Sequence, residues 1–432
     1  MTTSPLIIKA GRDKSLTHRA IIFACLAKGD SKIENALLSE DCLATIDCFQ
    51  KLGVKIDFNK KSDTVQVSGL GIEHLKQPTG ALDCQNSGTT ARLLTGLFAG
   101  IPDLTIILNG DASLRKRPMK RVTDPLSTAN RALFRYIETD GCLPLNISGA
   151  QLNAARYEVK TASAQVKSAL LLAGIKVKGH TIVELPAGSR DHTERFIKFL
   201  GGHCHSSSDG TKETVTLKGP VEFSPFDTRV PADPSSAAFF AVLALLKPAG
   251  LEVQIPEVLA NPTRIGFVKV LQRIAGSAIN IEDESDKEFV ENTMTLKVSG
   301  GHQLKSTTIE AHEIPRLVDE VPVLAILAAF AEGSSRFCGL SELRVKESDR
   351  LSQTLKLLQV IGAEARIEGD DLLIAGSLES VRPFSFDPLG DHRLAMCANI
   401  LAHLCDGLCE LVDSDCVSVS FPTFFEELAK FE

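Results

Sequence analysis

A sequence repeat of about 65 to 85 residues recurs six times along the chain, and that recurrence limits the fold more than composition does. Each repeat opens on a small polar or charged segment and runs into an Ala/Leu-rich helix that ends near a Gly. A strand, a polar loop and a second, amphipathic helix follow, and two strands joined by a charged turn close the repeat. The openings are DKSLTHRAIIFACLAKG (13–29), NSGTTARLLTGLFAG (86–100), ASAQVKSALLLAG (162–174), DPSSAAFFAVLALL (233–246), VDEVPVLAILAAFAEG (318–333) and GDHRLAMCANILAHL (390–404). These first helices are apolar on nearly every side and are expected to be buried, whereas the second helix of each repeat has a single apolar face.

The sixth repeat runs to FPTFFEELAKF (421–431) without strands of its own, and SPLIIKAG (4–11) is the segment expected to complete it. Both termini then belong to one domain. A chain of 432 residues is also too long for one ordinary core. Three repeats per domain and two chain crossings predict one domain at 13–228 and a second made of 1–12 and 229–432. The second crossing falls in the Pro-rich loop GPVEFSPFDTRVPADPSS (219–236). The expected fold class is α/β: two domains of three βαβαββ-type repeats, with buried inner helices pointing to an interdomain cleft, an inside-out barrel.

A net charge of -7 argues against nucleic acid as a partner, since that partner demands a basic face. Basic residues come instead in tight local clusters, which suits small anionic ligands. The longest apolar runs, 237–246 and 321–331, are too short to span a bilayer, and the N-terminal stretch lacks the apolar core of a signal peptide. A cytoplasmic protein without membrane contact is expected. The eleven cysteines include no C-x-x-C, and Cys405 and Cys409 have neither a zinc nor a redox spacing, so reduced thiols are expected.

If the repeats are quasi-symmetric, chemistry belongs at the N-termini of their inner helices, where free N–H groups and the macrodipole favour anions. Lys14, Ser15 and Arg19 open the first, and Asn86-Ser87-Gly88 opens the second with small residues that let a phosphate approach the backbone. Ser163, Gln165 and Lys167 open the third, next to SRDHTER (189–195). Asp319 and Glu320 precede the fifth, and Asp391-His392-Arg393 opens the sixth. Taken singly, each of these also fits an ordinary helix cap. The loop LRKRPMKR (114–121) has five basic residues and no acidic one, a repulsion that an anion would relieve. RVKESDR (344–350) gathers five ionisable groups between a strand-like and a helix-like run; in isolation such a stretch is more often a solvated charge run. No H-E-x-x-H, Walker A, G-x-S-x-G or dinucleotide fingerprint occurs.

DKSLTHRA, NSGTTARLL, LRKRPMKR, SAQVKSALLLAG, SRDHTER, DPSSAAFF, NPTR, IPRLVDEVPVLA, ELRVKESDR and GDHRLAM, in that order, resemble the motifs of the EPSP synthases, a family of enolpyruvyl transferases. The resemblance implies two domains of three repeats with inner helices aimed at the interdomain cleft. It also implies transfer of the enolpyruvyl group of phosphoenolpyruvate to the 5-hydroxyl of shikimate 3-phosphate, with release of phosphate on the route to aromatic amino acids. No cofactor or metal is implied, and a monomer is expected.

Carried onto matching positions, the resemblance puts shikimate 3-phosphate against Ser15, Arg19, Ser163, Ala164, Gln165, Ser189, Asp319 and Lys346. It puts phosphoenolpyruvate against Lys14, Gly88, Arg117, Gln165, Arg350 and Arg393, the last two arginines toward the carboxylate. Lys14, Asp319 and Glu347 become the catalytic candidates: Glu347 gives a proton to the methylene carbon, and Asp319, with Lys14 nearby, acts toward the hydroxyl. The chain departs from the family at Gly11-Arg12, at Ala164, where only a backbone contact is possible, and at Val419, where many members have Lys. One phosphate contact is then either missing or supplied by another residue, such as Lys120 or Arg190. The rival readings are the related transferase acting on UDP-N-acetylglucosamine, whose Cys is missing from DASLRKRP (111–118), and a non-catalytic anion-binding descendant, although Lys14, Asp319, Glu347 and Arg393 are all present.

Overall fold

Four of the six inner helices begin where a short polar side chain caps the first turn, satisfying N–H groups that have no partner within the helix. Ser87 accepts from the Thr90 N–H at 3.2 Å to start Gly88–Ala99, and Ser163 from Val166 at 3.4 Å to start Ala164–Ala173. Asp233 accepts from Ser235 at 2.9 Å ahead of Pro234–Leu246, and Asp391 from Arg393 at 3.0 Å ahead of His392–Leu404. Lys14–Leu26 and Val321–Phe330 are the other two, the latter with Pro322 in its first turn, where no N–H is missed. All six are apolar almost all round and lie buried. The outer helices bury one side only: Gly266–Ala275 buries Phe267, Val270, Leu271 and Ile274 and leaves Lys269, Gln272 and Arg273 in water.

The computed structural model describes residues 4–130, 132–284 and 289–432. The chain divides into two compact units: Lys14–Val230 with Lys287–Val290, and Met1–Asp13 with Pro231–Asp286 and Glu291–Glu432. Inner helices pack on one another within each unit and the sheets wall them in. In the unit 14–230 the second inner helix lies so close to the third that a Cβ on Gly96 would stand 2.0 Å from the Ala169 carbonyl oxygen. Among the described residues no helix is long and apolar enough to cross a membrane.

Five four-stranded sheets share one pattern, clearest in the third repeat. A leading strand, Ala155–Glu158, feeds the inner helix and lies parallel to the strand that follows it, Gly179–Pro186. That strand pairs antiparallel with Lys212–Gly219, onto which His203–Ser208 folds as a hairpin at the edge.

The leading strands of the first and fourth repeats are exchanged, which corrects the expectation for the N-terminus. Leu6–Ile7 does not complete the sixth repeat. It lies parallel to Glu252–Leu259 of the fourth, with Leu6 opposite Val253. Asp227–Arg229, which precedes the fourth inner helix in sequence, pairs instead with Lys28–Glu34 of the first repeat. The fourth sheet is thereby left with an open edge whose N–H and C=O groups need partners, and the N-terminal strand supplies them. The sixth repeat keeps only the two-residue strands Ser385–Phe386 and Glu410–Leu411. Its last helix still touches the N-terminal segment, where Glu427 accepts from the Lys9 N–H at 2.8 Å.

Candidate active site

The candidate residues fall into two groups, one in each unit. In the unit 14–230, Lys14 stands in the first turn of its helix with Nζ 2.8 Å from Asp41 Oδ2, on the outer helix Glu40–Lys51. One turn on, Arg19 is buried and fans over neutral oxygens: NH1 to the Ser15 carbonyl at 2.9 Å, Nε to Thr193 Oγ1 at 2.8 Å and NH2 to Ser168 Oγ at 2.7 Å. Ser15 lies half-buried beside it. The hydroxyls of Thr193 and Ser168 and the Ser15 carbonyl hold the planar guanidinium in one orientation.

Gly88, Arg117 and Gln165 come together around a residue that the sequence did not single out, Arg92. A Cβ on Gly88 would stand 3.1 Å from Arg92 NH1 and 3.4 Å from Arg117 NH1. Arg92 NH1 donates to Gln165 Oε1 at 2.5 Å, and Gln165 Nε2 donates to Thr89 Oγ1 at 3.0 Å. The signal was in NSGTTAR: a position four residues after Gly88 lies on the same helix face. Ser163 serves as the cap described above, and Ala164 opens the helix with only a methyl group and its backbone to offer.

The basic loop is less unbalanced than its sequence implied. Glu138 pairs with Arg115 at 3.2 Å and Asp140 with Lys120 at 2.5 Å, so distant acidic residues answer part of the repulsion. Among the described residues Arg117 meets neutral oxygens, with NH2 2.6 Å from Asn86 Oδ1. Lys167 turns away from the helix start. It is fully buried between Glu194 at 2.6 Å and Glu213 at 3.0 Å. Ser189 donates its hydroxyl proton to the other oxygen of Glu213 at 3.0 Å.

In the other unit, RVKESDR is no solvated charge run. Asp349 caps the helix Arg350–Val360 by accepting from the Ser352 N–H at 3.1 Å, and Arg344 ties the loop to Asp370 at 3.0 Å. Arg350, 1% exposed, meets three carboxylates: Nε lies 2.7 Å from Asp391, NH1 3.2 Å from Asp319 and NH2 2.6 Å from Glu347. The last contact is close but poorly angled, an ion pair and not a hydrogen bond. Burial works against the charge on Arg350, yet Glu347, Asp391 and Asp319 more than offset it and raise its pKa. Burial likewise opposes the Asp391 carboxylate, and Arg350 wins, holding it below its ordinary value.

Asp319 is the hub of this group. One oxygen faces Lys346 at 3.4 Å as well as Arg350, and the other faces Arg393 at 3.8 Å. Asp391 does two tasks, capping the sixth inner helix with Oδ1 and binding Arg350 and Ser348 with Oδ2. Among the described residues, three cations, Lys346, Arg350 and Arg393, and three carboxylates, Asp319, Glu347 and Asp391, meet here. Glu347 is the most exposed of the three carboxylates, at 35%.

The EPSP synthase (3-phosphoshikimate 1-carboxyvinyltransferase) family model matches residues 6–428. A 3-phosphoshikimate 1-carboxyvinyltransferase of Caldicellulosiruptor bescii is 42% identical over 417 residues, covering 96% of this chain and 94% of the relative. One from Bacillus cytotoxicus is 41% identical over 418 residues, covering 96% and 95%. Among solved structures, an EPSP synthase of Acinetobacter baumannii superposes with a TM-score of 0.86 at 34% identity, covering 98% of this chain and 95% of that one. The enolpyruvyl transferase NikO of Streptomyces tendae, at 14% identity and a TM-score of 0.74, covers 99% and 94% and shares the fold. With one model matching nearly end to end and relatives similar over their full length, this chain belongs to the EPSP synthase family.

Proposed function

We infer that this chain transfers the enolpyruvyl group of phosphoenolpyruvate to the 5-hydroxyl of shikimate 3-phosphate, releasing phosphate, in the shikimate pathway to aromatic amino acids. The names of its full-length relatives support that activity. The observation that carries the chemistry is the Asp319 hub, because a carboxylate, an acid and three cations gathered at helix starts are what the reaction demands. Both substrates are multiply anionic, and proton transfer must occur beside those anions.

In this reading Glu347 protonates the methylene carbon of phosphoenolpyruvate, while the 5-hydroxyl gives its proton toward Asp319, with Lys14 assisting. The new C–O bond yields a tetrahedral intermediate. Loss of a methyl proton and cleavage of the C–O bond to phosphate then restore the double bond. Lys14, Gly88 and Arg117 serve the donor phosphate, Arg350 and Arg393 its carboxylate, and Gln165 also contacts the donor. Ser15, Arg19, Ser163, the Ala164 backbone, Gln165, Ser189, Asp319 and Lys346 serve the acceptor. Since the Ser189 proton is committed to Glu213, its hydroxyl accepts and its backbone N–H is the donor left for an anion. Of the two candidates for the family Lys at Val419, Lys120 and Arg190, Lys120 already pairs with Asp140 at the surface.

A cytoplasmic, monomeric enzyme completes the reading, supported by eleven free thiols, which suit a reducing compartment. The test is phosphate release from phosphoenolpyruvate, with and without shikimate 3-phosphate, and with UDP-N-acetylglucosamine as the competing acceptor. Release that depends on shikimate 3-phosphate alone is expected. Release with the nucleotide sugar, or with neither acceptor, would refute the reading.

A further inference from the structure

Arg264 belongs to neither group, yet at 2% exposure it is among the most deeply buried charged side chains. It closes the motif NPTR (261–264). Its NH1 donates to Asp13 Oδ2 at 2.8 Å, and its NH2 to Asp233 Oδ1 at 2.7 Å and Ser235 Oγ at 3.4 Å. Ser235 in turn donates to Glu320, the neighbour of Asp319.

Asp13 and Asp233 stand at two of the places where the chain passes between units: Asp13 is bonded to Lys14, and Asp233 follows Val230 by three residues. Within their own unit the two passages form an antiparallel pair. The Asp13 N–H donates to the Pro231 carbonyl at 2.9 Å, and the Asp233 N–H to the Gly11 carbonyl at 2.7 Å. The Ala232 N–H ties that pair to the fourth sheet through the Glu257 carbonyl at 2.9 Å. Arg264 thus bridges the side chains of two segments already joined by their backbones.

A buried guanidinium is costly unless carboxylates meet it closely. Burial opposes its charge, and Asp13, Asp233, Glu320 and Asp319, in that order, more than offset the cost. For packing alone an apolar side chain of similar size serves as well or better. What an apolar residue cannot do is hold two separate segments, at Asp13 and at Asp233–Ser235, at hydrogen-bond distances, and Ser235 passes that hold to Glu320 beside Asp319.

We propose that Arg264 is a positioning residue for the transfer reaction: within its own unit it holds Asp13, the residue before Lys14, beside Asp233 and, through Ser235, holds the Glu320–Asp319 turn. The proposal rests on the roles given above to Lys14 and Asp319. Lysine cannot replace it, because one ammonium lacks the planar fork that reaches two carboxylates on different segments.

The test uses the full chain with Arg264→Lys, Asp13→Asn and both together, measuring phosphate release, shikimate 3-phosphate binding by calorimetry, and Tm. Misplacement predicts that kcat in Arg264→Lys falls about a hundredfold while acceptor affinity changes less than about threefold. The double variant is expected to be no slower than the slower single variant, since both break one unit of positioning. A merely structural cluster would lower Tm and leave the kcat of folded protein intact, and that result would overturn the proposal. If Arg264→Lys does not fold, Asp13→Asn decides, since Asp233 still holds Arg264 there: a lower kcat supports the proposal and an unchanged one overturns it. A wild type that releases no phosphate would overturn the functional reading and this proposal together, whereas an active wild type with equally active variants overturns this proposal alone.

Discussion

Arg350 Nε lies 2.7 Å from Asp391 Oδ2, and both side chains are out of water, at 1% and 0% exposure. Asp391 also caps the sixth inner helix, so one buried carboxylate joins the RVKESDR loop to the start of another repeat. Asn keeps the capping ability and loses the charge. Asp391→Asn is therefore expected to cost about 3–5 kcal/mol at neutral pH, the range for breaking a buried pair. The folded carboxyl lies below its ordinary 3.8, so its contribution is fully present above that value and is lost as pH falls through the lower folded value. Denaturant unfolding at pH 7 and in acid should show the gap between wild type and variant narrowing in acid.

Glu347 contacts Arg350 from the solvent side of the cluster, and it is the proposed acid. Glu347→Ala is expected to lower kcat by about a hundred- to ten-thousandfold, the usual worth of a positioned acid. Shikimate 3-phosphate affinity should stay close to wild type, because Lys346 and Asp319 remain. Turnover near the wild-type rate would remove the assignment.

Among the described residues Arg117 meets neutral oxygens, and it stands beside Gly88. Arg117→Ala should raise the KM for phosphoenolpyruvate about ten- to a hundredfold, as expected for a lost charge-assisted bond. Gly88→Ala should act on the same constant, because its methyl would press on the mobile ends of Arg92 and Arg117 without touching backbone. Unchanged donor KM in both variants would assign the phosphate to other cations.

Lys167 is held between Glu194 and Glu213, and burial of Glu194 raises that acid even as Lys167 opposes the shift. Lys167 itself keeps its charge: burial lowers its pKa, the two glutamates raise it more, and the folded value lies above 10.5. Its contribution is therefore fully present below pH 10.5 and is lost as pH rises through the folded value. Lys167→Met should cost about 3–5 kcal/mol at neutral pH and progressively less in strong alkali. A stability difference unchanged into strong alkali would count against a charged buried lysine.

What the sequence determined by itself is local. The six inner helices were legible because their signals, a polar cap, an apolar run and a closing Gly, lie within about fifteen residues of one another. The candidate residues were legible for the same reason, each sitting in a short motif at a helix start, and so was Arg350 as part of a cluster. Tertiary structure decided everything that depends on partners remote in sequence. Leu6 pairs with Val253 because another strand had left that sheet edge open, which no local pattern records. Lys167 sits in a helix start as Lys14 does, yet faces two buried glutamates because of where the neighbouring outer helix and hairpin lie. Arg92 enters the site through Gln165 of another repeat, and Asp41 reaches Lys14 from the outer helix. Backbone propensity and capping act over a few residues, whereas charge pairing and strand edges are satisfied by whatever the fold brings within about 4 Å.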